Sequence, residues 1–326
     1  MTKYWRLSTL LFIAACSVAL GQPSRLSSSE VTLIREALHL QSALGPILWP
    51  GWVNPKPPFL LKTCENDFLI NHPHPPSDFS GYFDSLWGDT VWVRANRDTS
   101  EFQACYPING SQTVVISAPS DDYNPCLWVL KAAHELFHVY QGLDRVVNPF
   151  VGPYAATHEL SFPFDYSNAK ILASCRIEAE LLFNLVTKNQ LGQADSAVSK
   201  RVLRDMQTVF DAVVVDTLHL RYKRWIEWKE GVALYTERRL SDLARNPVTY
   251  QPTKEFSALF PSWNYAELWL QKYESNTNPI RFIGEGVRGR LMFYYSGMAK
   301  AYVLDRINPR WRSEYFKKTL DAMIIE

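Results

Sequence analysis

Hydrophobic and polar positions follow two different periods along the chain, and the change between them divides the sequence into two regions. In the first region, Ser27 and Glu30 form a capping box and apolar residues follow at helical spacing to about Leu44, which predicts a first helix. Residues 47–120 are instead rich in proline, glycine and turn clusters. Short β-branched or aromatic runs stand among them at 68–70, 90–93 and 113–116. This pattern predicts a small irregular sheet.

From residue 124 onward, apolar residues recur every three or four positions, which is typical of helices. Helices are predicted at about 124–142, 165–190, 194–213, 218–243, 290–307 and 310–325. The stretches 144–164 and 245–285 are rich in loops, and long ordered loops often border functional sites. No internal repeat and no clean linker is evident. We therefore predict an α+β fold with one domain over 22–326, in which a small N-terminal β-sheet region in 22–120 packs on a predominantly helical body in 121–326.

The first residues have the features of an export signal. Lys3 and Arg6 precede an apolar run over 7–20, and small residues at the end of the run suit cleavage after residue 21. We predict that 1–21 is a signal peptide and that the protein is secreted or periplasmic. The alternative is a lipoprotein anchored through Cys16. The apolar run is shorter than the roughly 20 residues that span a bilayer, so no transmembrane segment is expected in the mature chain.

The charge balance and the cysteines exclude one class of partner and one kind of metal ligand. The 34 basic and 33 acidic residues nearly balance, and without a basic cluster the chain has no electrostatic footprint for nucleic acid, so no nucleic-acid partner is expected. Four cysteines remain after the predicted signal, which allows two disulfides in three possible pairings or four buried thiols. No close CxxC pair is present, so these cysteines are poor candidates for zinc ligands. They are Cys64, Cys105, Cys126 and Cys175.

One predicted helix carries a candidate metal site. It begins at Asn124-Pro125 and ends at Gly142, and its apolar residues leave almost no polar face, so burial nearly all round is expected. His134 and His138 lie four residues apart on one face, which lets two imidazole nitrogens converge on one Zn²⁺.

Glu135 projects about 100° round from His134 and can reach a water on the metal without being a ligand. The alternative is a pair of hydrogen-bonded core histidines, with Glu135 paired to an arginine. A chance match would more often fall in polar sequence than in a capped apolar helix, so the metal interpretation is favoured.

A catalytic zinc ion normally has a third protein ligand. The residues after His138, 139–145, lack the glycine and third histidine of a metzincin. A glutamate on a downstream helix is therefore expected, and there are two candidates, Glu178 and Glu230.

Glu230 is favoured because of the residue that follows it. A glycine within a helix costs about 1 kcal/mol relative to alanine, so Gly231 indicates a close approach to another helix backbone. Glu178 is then interpreted as an ion-pair carboxylate or one that orients a ligand histidine. Glu227 and Glu237 fit a solvated acidic face.

These motifs resemble a known family. His134-Glu135-x-x-His138-x-x-Gln141, followed by Glu230-Gly231-x-Ala233-x-Tyr235, is similar to the gluzincin-type zinc metallopeptidases of the thermolysin-like superfamily, and more narrowly to bacterial exported members with a C-terminal Tyr-x-Gly segment. The likeness covers roughly 124–312. It implies a zincin-like body, zinc bound by His134, His138 and Glu230, Glu135 as general base, and a peptide or protein substrate. One departure is Leu234, where thermolysin has an aspartate that supports a ligand.

The resemblance also places Tyr295 at the site, where its phenol is expected to stabilise the oxyanion, with Tyr235, Tyr294 and His158 as substitutes. The sequence thus predicts an exported zinc hydrolase, and a metallopeptidase in particular. A zinc hydrolase that acts on a non-peptide amide is a close alternative. The alternative from another class is a secreted binding protein with a degenerate metal site, although such a protein has no need of Glu135.

Overall fold

The computed structural model describes residues 25–53, 56–96, 98, 103–120, 123–142, 160–190, 195–214, 217–268, 278–281, 283 and 286–325. The predicted signal peptide 1–21, with Cys16, lies outside the described residues, as do His158 and most of the predicted loop 144–164. Helix α1 (Ser28–Leu48) begins with the predicted capping box, in which the Ser27 hydroxyl accepts from the N–H of Glu30 and the Glu30 carboxylate accepts from the N–H of Ser27.

The region after α1 is a mixed sheet. Its strands in the described chain are β1 (Phe59–Lys62), β2 (Asn66–Ile70), β3 (Ser80–Asp84), β4 (Asp89–Ala95), β5 (Gln103–Ile108) and β6 (Ser111–Ser117). Their order across the sheet is β3-β4-β2-β1-β6-β5, with β1 parallel to β6 and the other neighbours antiparallel. The runs at 68–70, 90–93 and 113–116 are β2, β4 and β6, as predicted.

The hydrophobic pattern does not predict the other three strands, for two physical reasons. Strand β1 is buried at every position, so it has no alternation of apolar and polar residues. Strands β3 and β5 form the two edges of the sheet and are largely exposed, so neither has a face of buried apolar residues that would give a clear strand pattern. Pro107 in β5 is typical of an edge strand, because proline cannot donate to the ladder.

Side chains alternate between the two faces of the sheet. One face, with residues such as Phe59, Phe68 and Val114, belongs to a hydrophobic core that extends from Leu26 to Ile324 and includes the helices. The opposite face has a smaller cluster of Leu60, Leu69, Phe79 and Val115.

The remainder of the described chain is mostly helical. Its helices are α2 (Pro125–Gly142), α3 (Ala169–Gln190), α4 (Ser196–Val213), α5 (Thr217–Ile226), α6 (Val232–Ala244), α7 (Lys254–Leu259), α8 (Tyr265–Leu268), α9 (Asn278–Arg281), α10 (Leu291–Ile307), α11 (Trp311–Glu314) and α12 (Leu320–Ile325). The predicted α+β class, helix-dominated with the sheet in the N-terminal half, is confirmed.

Two predicted helices are interrupted. The helix expected at 218–243 is divided by a π-helical segment, Glu227–Gly231, between α5 and α6. The helix expected at 310–325 is split into α11 and α12, with a turn at 315–317 between them. Helical periodicity continues through both interruptions, so the pattern alone does not reveal them.

The four cysteines Cys64, Cys105, Cys126 and Cys175 form no disulfide, so of the two alternatives that the sequence leaves open the structure has free thiols. Cys126 and Cys175 are buried, whereas Cys64 is exposed and Cys105 is intermediate. Within the described residues, no helix combines the length and the apolar character needed to cross a membrane.

Candidate metal centre

Helix α2 is buried almost all round, as predicted. Its first turn is capped by Asn124, whose side-chain oxygen accepts from the N–H of Leu127 at 3.1 Å. His134, Glu135 and His138 are all buried within it. Three ionisable side chains in an apolar helix need partners, and those of the two histidines come from the π-helical segment, from α6 and from α2 itself.

The two histidines and Glu230 converge on one point. Nε2 of His134 lies 3.1 Å from Nε2 of His138, and Oε2 of Glu230 lies 3.3 Å from Nε2 of His138 and 3.7 Å from Nε2 of His134. Ligands about 2.0–2.1 Å from a tetrahedral zinc ion lie about 3.3 Å from one another. The three atoms therefore have the spacing of one face of such a tetrahedron, and this buried group could hold a metal ion.

The outer nitrogens of both histidines face acceptors. Oε2 of Glu237 lies 3.3 Å from Nδ1 of His134, at ion-pair distance although not aligned as a hydrogen bond. Oε1 of Gln141 lies 2.5 Å from Nδ1 of His138. Acceptors at Nδ1 hold the proton there and leave the Nε2 lone pair directed at the metal position.

Glu237 therefore lies beside His134, where the side chain of Leu234 could not supply an acceptor. It follows Glu230 by seven residues, which is two helical turns, so both side chains project from one face of the helix. The prediction that Glu237 belongs to a solvated face is wrong, since the residue is only 7% exposed. The face is buried because it packs against α2.

Burial and neighbouring carboxylates shift the pKa values within the centre. Burial lowers the pKa of His134, but contacts with Glu230 and Glu237 and the charge of Glu135 outweigh it and raise the pKa to about 10. Burial raises the pKa of Glu230, but His138 and His134 outweigh it and hold the pKa well below its usual value. The surroundings therefore favour positive charge at the point where the ligand atoms meet.

Glu135 is the third acidic residue of this centre, and one of its oxygens is unsatisfied. Oε2 of Glu135 is buried and has no hydrogen-bond partner. A buried carboxylate oxygen without a donor costs about 1–3 kcal/mol or more, so it is uncommon unless a water, an ion or a substrate supplies the partner. The arginine partner of the alternative interpretation is not found among the described contacts of Glu135.

Gly231 makes the close approach that its position in the helix predicts. A Cβ on Gly231 would lie 2.6 Å from Cα of Gly297 in α10, and a Cβ on Gly297 would lie 2.7 Å from Cα of Glu227. Both distances are too short for any side chain, so the π-helical segment and α10 are in direct backbone contact. This contact fixes the position of the π-helical segment against α10, and with it the position from which the Glu230 side chain projects.

Glu178, the other candidate ligand, lies in a separate group that we call the ion cluster, made of Glu178, Lys223, Glu227, Lys300 and Asp321. Nζ of Lys223 lies 2.9 Å from Glu178 and 2.5 Å from Glu227. Nζ of Lys300 lies 3.1 Å from Glu178, 2.8 Å from Glu227 and 2.8 Å from Asp321. Glu227, predicted to be solvated, is 1% exposed. The prediction that Glu227 lies on a solvated face is wrong, because α10 covers this side of the π-helical segment.

Tyr295 is half-buried in α10 and makes no hydrogen bond to the three ligand residues. Its role as oxyanion donor stays a prediction. Of the substitutes, Tyr235 donates to Asp305 at 2.7 Å and Tyr294 accepts from Arg290 at 2.7 Å, so both hydroxyls are engaged elsewhere.

Sequence reasoning did not find three residues that belong to the site or lie beside it. Glu237 could have been found from its seven-residue spacing to Glu230. Strand β5 packs against α2, and on it burial and the charge of Glu135 raise the pKa of the Cys105 thiol. The Tyr315 hydroxyl lies 2.5 Å from Nε2 of Gln141, although 174 residues separate the two in the sequence. No local sequence pattern predicts such a contact.

Comparison with protein-family models, with curated proteins and with solved structures found no match for this chain. The resemblance to gluzincin-type peptidases therefore rests on the sequence motifs alone.

Proposed function

We propose that the protein is an exported zinc-dependent hydrolase, and specifically a metallopeptidase. His134, His138 and Glu230 would hold the zinc ion, since two imidazoles and one carboxylate are a donor set of catalytic zinc sites. Zinc bound there would supply a Lewis acid that activates water and polarises a carbonyl group.

The observation that carries the proposal is the unpaired Oε2 of Glu135 beside a three-ligand set. A structural zinc site has four protein ligands and no need of a further buried carboxylate, whereas hydrolysis needs an open position and a base. In the proposed reaction Glu135 accepts a proton from the attacking water and donates it to the leaving amine. Glu237 and Gln141 hold the two imidazoles in the tautomer and orientation that binding requires.

Replacement of Glu135 by glutamine tests this proposal. The variant keeps the shape of the side chain but loses the base, so we expect cleavage of a random-sequence peptide mixture to fall by about 10²–10⁴-fold. Zinc content, measured on the same sample by elemental analysis, should stay at one ion per chain. Peptide cleavage is followed by mass spectrometry after incubation with zinc.

Glu255→Gln is the matched control, because Glu255 is an exposed glutamate in α7 and its replacement should change neither quantity. Full activity of a zinc-loaded Glu135→Gln variant would rule out Glu135 as the base. A wild-type protein that binds zinc and cleaves no peptide would instead favour the binding-protein alternative.

A further inference from the structure

We propose that Tyr315 is a positioning residue for the metal centre, although it touches none of the three ligands. Its hydroxyl group joins the helix that carries the two histidines to the π-helical segment that carries Glu230. The inference rests on the metal centre of the proposed function but not on the hydrolytic reaction.

A chain of hydrogen bonds carries the proposal. Tyr315 donates its hydroxyl proton to the carbonyl of Trp228 at 2.6 Å and accepts from Nε2 of Gln141 at 2.5 Å. The same Nε2 donates its second proton to the carbonyl of Lys229 at 2.9 Å. The oxygen of the Gln141 amide accepts from Nδ1 of His138 at 2.5 Å. The ring of one metal ligand is thereby linked to the backbone beside another.

The π-helical segment explains why this link matters. Trp228 and Lys229 directly precede Glu230 in the π-helical segment. Their backbone carbonyls accept hydrogen bonds from the side chains of Tyr315 and Gln141. π-helical turns are rare and frequently mark functional sites. Here the turn is held on one side by the glycine contact with α10 and on the other by Gln141 and Tyr315. A shift of this turn would move Glu230 relative to the histidines.

The ring of Tyr315 is itself fixed. It is fully buried, stacks on Trp228 with ring centres 4.7 Å apart and an angle of 11° between planes, and lies 5.0 Å from the ring of Trp49. Such packing leaves the hydroxyl one position. It also means that phenylalanine can take the place of the ring while removing only the hydroxyl group.

The competing interpretation is an ordinary core tyrosine whose hydroxyl merely satisfies two neighbouring groups. That role would affect stability and leave metal binding unchanged. The two interpretations therefore differ in the affinity for metal and in the coordination geometry, and neither quantity depends on enzymatic activity.

The test is Tyr315→Phe in the full-length mature protein. We expect the affinity for Zn²⁺, measured by competition with a chromophoric chelator, to fall by about 10–100-fold, the range seen for residues that orient metal ligands. With Co²⁺ as probe, the visible absorption bands should change in position or intensity, because they report ligand geometry. Circular dichroism verifies that the variant is folded.

Tyr250→Phe is the matched control. The Tyr250 hydroxyl is also buried and donates to a polar partner, Oε1 of Glu36, at 2.6 Å, but it has no link to the metal ligands in the described structure. Its loss should lower stability and leave the Zn²⁺ affinity and the Co²⁺ spectrum as in the wild type.

Gln141→Met provides a second, independent variant that breaks the chain at its other end. If Tyr315 acts through Gln141, adding Tyr315→Phe to Gln141→Met should reduce Zn²⁺ affinity by less than about threefold further, since interacting residues are not additive. Should Tyr315→Phe fail to fold, a loss of affinity of about 10–100-fold in folded Gln141→Met would support the link.

Wild-type Zn²⁺ affinity and an unchanged Co²⁺ spectrum in Tyr315→Phe would overturn the inference. Absence of metal binding in the wild type would overturn the metal centre together with it. Absence of peptide cleavage with normal metal binding would contradict only the hydrolase proposal.

Discussion

Two buried polar clusters lie next to the same π-helical segment, and they differ in how their charges are completed. In the ion cluster, each of the three carboxylates has a lysine ammonium group within 3.1 Å, and Arg224 also pairs with Asp321 at 3.1 Å. In the metal centre, carboxylates meet imidazole nitrogens, Oε1 of Glu230 also pairs with Lys229 at 3.2 Å, and one oxygen of Glu135 has no partner.

The difference supports a structural role for the ion cluster and is consistent with the proposal that the metal centre binds an ion. A buried set of charges is tolerated when each charge has an opposite neighbour, as in the ion cluster. The metal centre brings two imidazole nitrogens and a carboxylate oxygen to one point, where they could hold a metal ion. Both clusters are buried and contain several charged residues. They differ only in which individual atoms are paired with an opposite charge.

The largest expected effect comes from breaking the ion cluster. Lys300→Met would leave Glu178, Glu227 and Asp321 with one lysine fewer, and loss of one partner in a buried ion pair costs about 3–5 kcal/mol. We expect the free energy of unfolding, measured in urea, to fall by about this amount. The surface pair of Lys318 with Glu314 is the control, because Lys318→Met should cost about 0.5 kcal/mol.

For Lys300→Met, the Zn²⁺ affinity of the folded protein should change by less than about tenfold, below the effect expected for loss of a ligand. A stability equal to that of the wild type would show that the ion cluster is not the structural one.

The next effect concerns the metal centre. Glu230→Gln removes one anionic ligand, so Zn²⁺ affinity should fall by at least about 100-fold, or about 2.7 kcal/mol. Isothermal titration of metal-free protein with Zn²⁺ measures this change. Glu178→Gln is the control and should bind Zn²⁺ as the wild type does. The opposite ranking of the two variants would make Glu178 the third ligand.

The smallest expected effect is a loss of folding stability at acidic pH. Burial raises the pKa of Asp321, but the charges of Lys300 and Lys223 outweigh it and lower the pKa to about 2, from an ordinary value of 3.8. A lowered pKa stabilises the folded state above the unfolded-state pKa, and this contribution is lost as the pH falls through the folded-state pKa. The contribution is about 2 kcal/mol and should disappear between about pH 4 and pH 2.

Urea unfolding at a series of pH values measures this loss. The wild type should lose more stability than Asp321→Asn between about pH 4 and pH 2, whereas Asp89→Asn, at an exposed ion pair with Lys56, should follow the wild type. Parallel pH profiles for wild type and Asp321→Asn would contradict the assigned pairing with Lys300.

Local sequence determines a large part of this protein. The capping box of α1, the start and burial of α2, and the spacing of His134 and His138 follow from interactions between residues a few positions apart, which a pattern records directly. Gly231 belongs to the same class, because a glycine inside a helix already implies a close neighbour. The identity of that neighbour, Gly297, is not implied.

The sequence favours Glu230 as the acid that joins the histidines, but tertiary structure alone decided what each remaining acid does. Glu178, Glu227, Glu230 and Glu237 all lie in helical segments, yet Glu230 could be a ligand, Glu237 lies against His134, and Glu178 and Glu227 belong to the ion cluster. The π-helical segment and Tyr315 were invisible for the same reason. Their partners lie far away along the chain, and a charged side chain takes its role from the atoms packed around it, which the order of residues does not record.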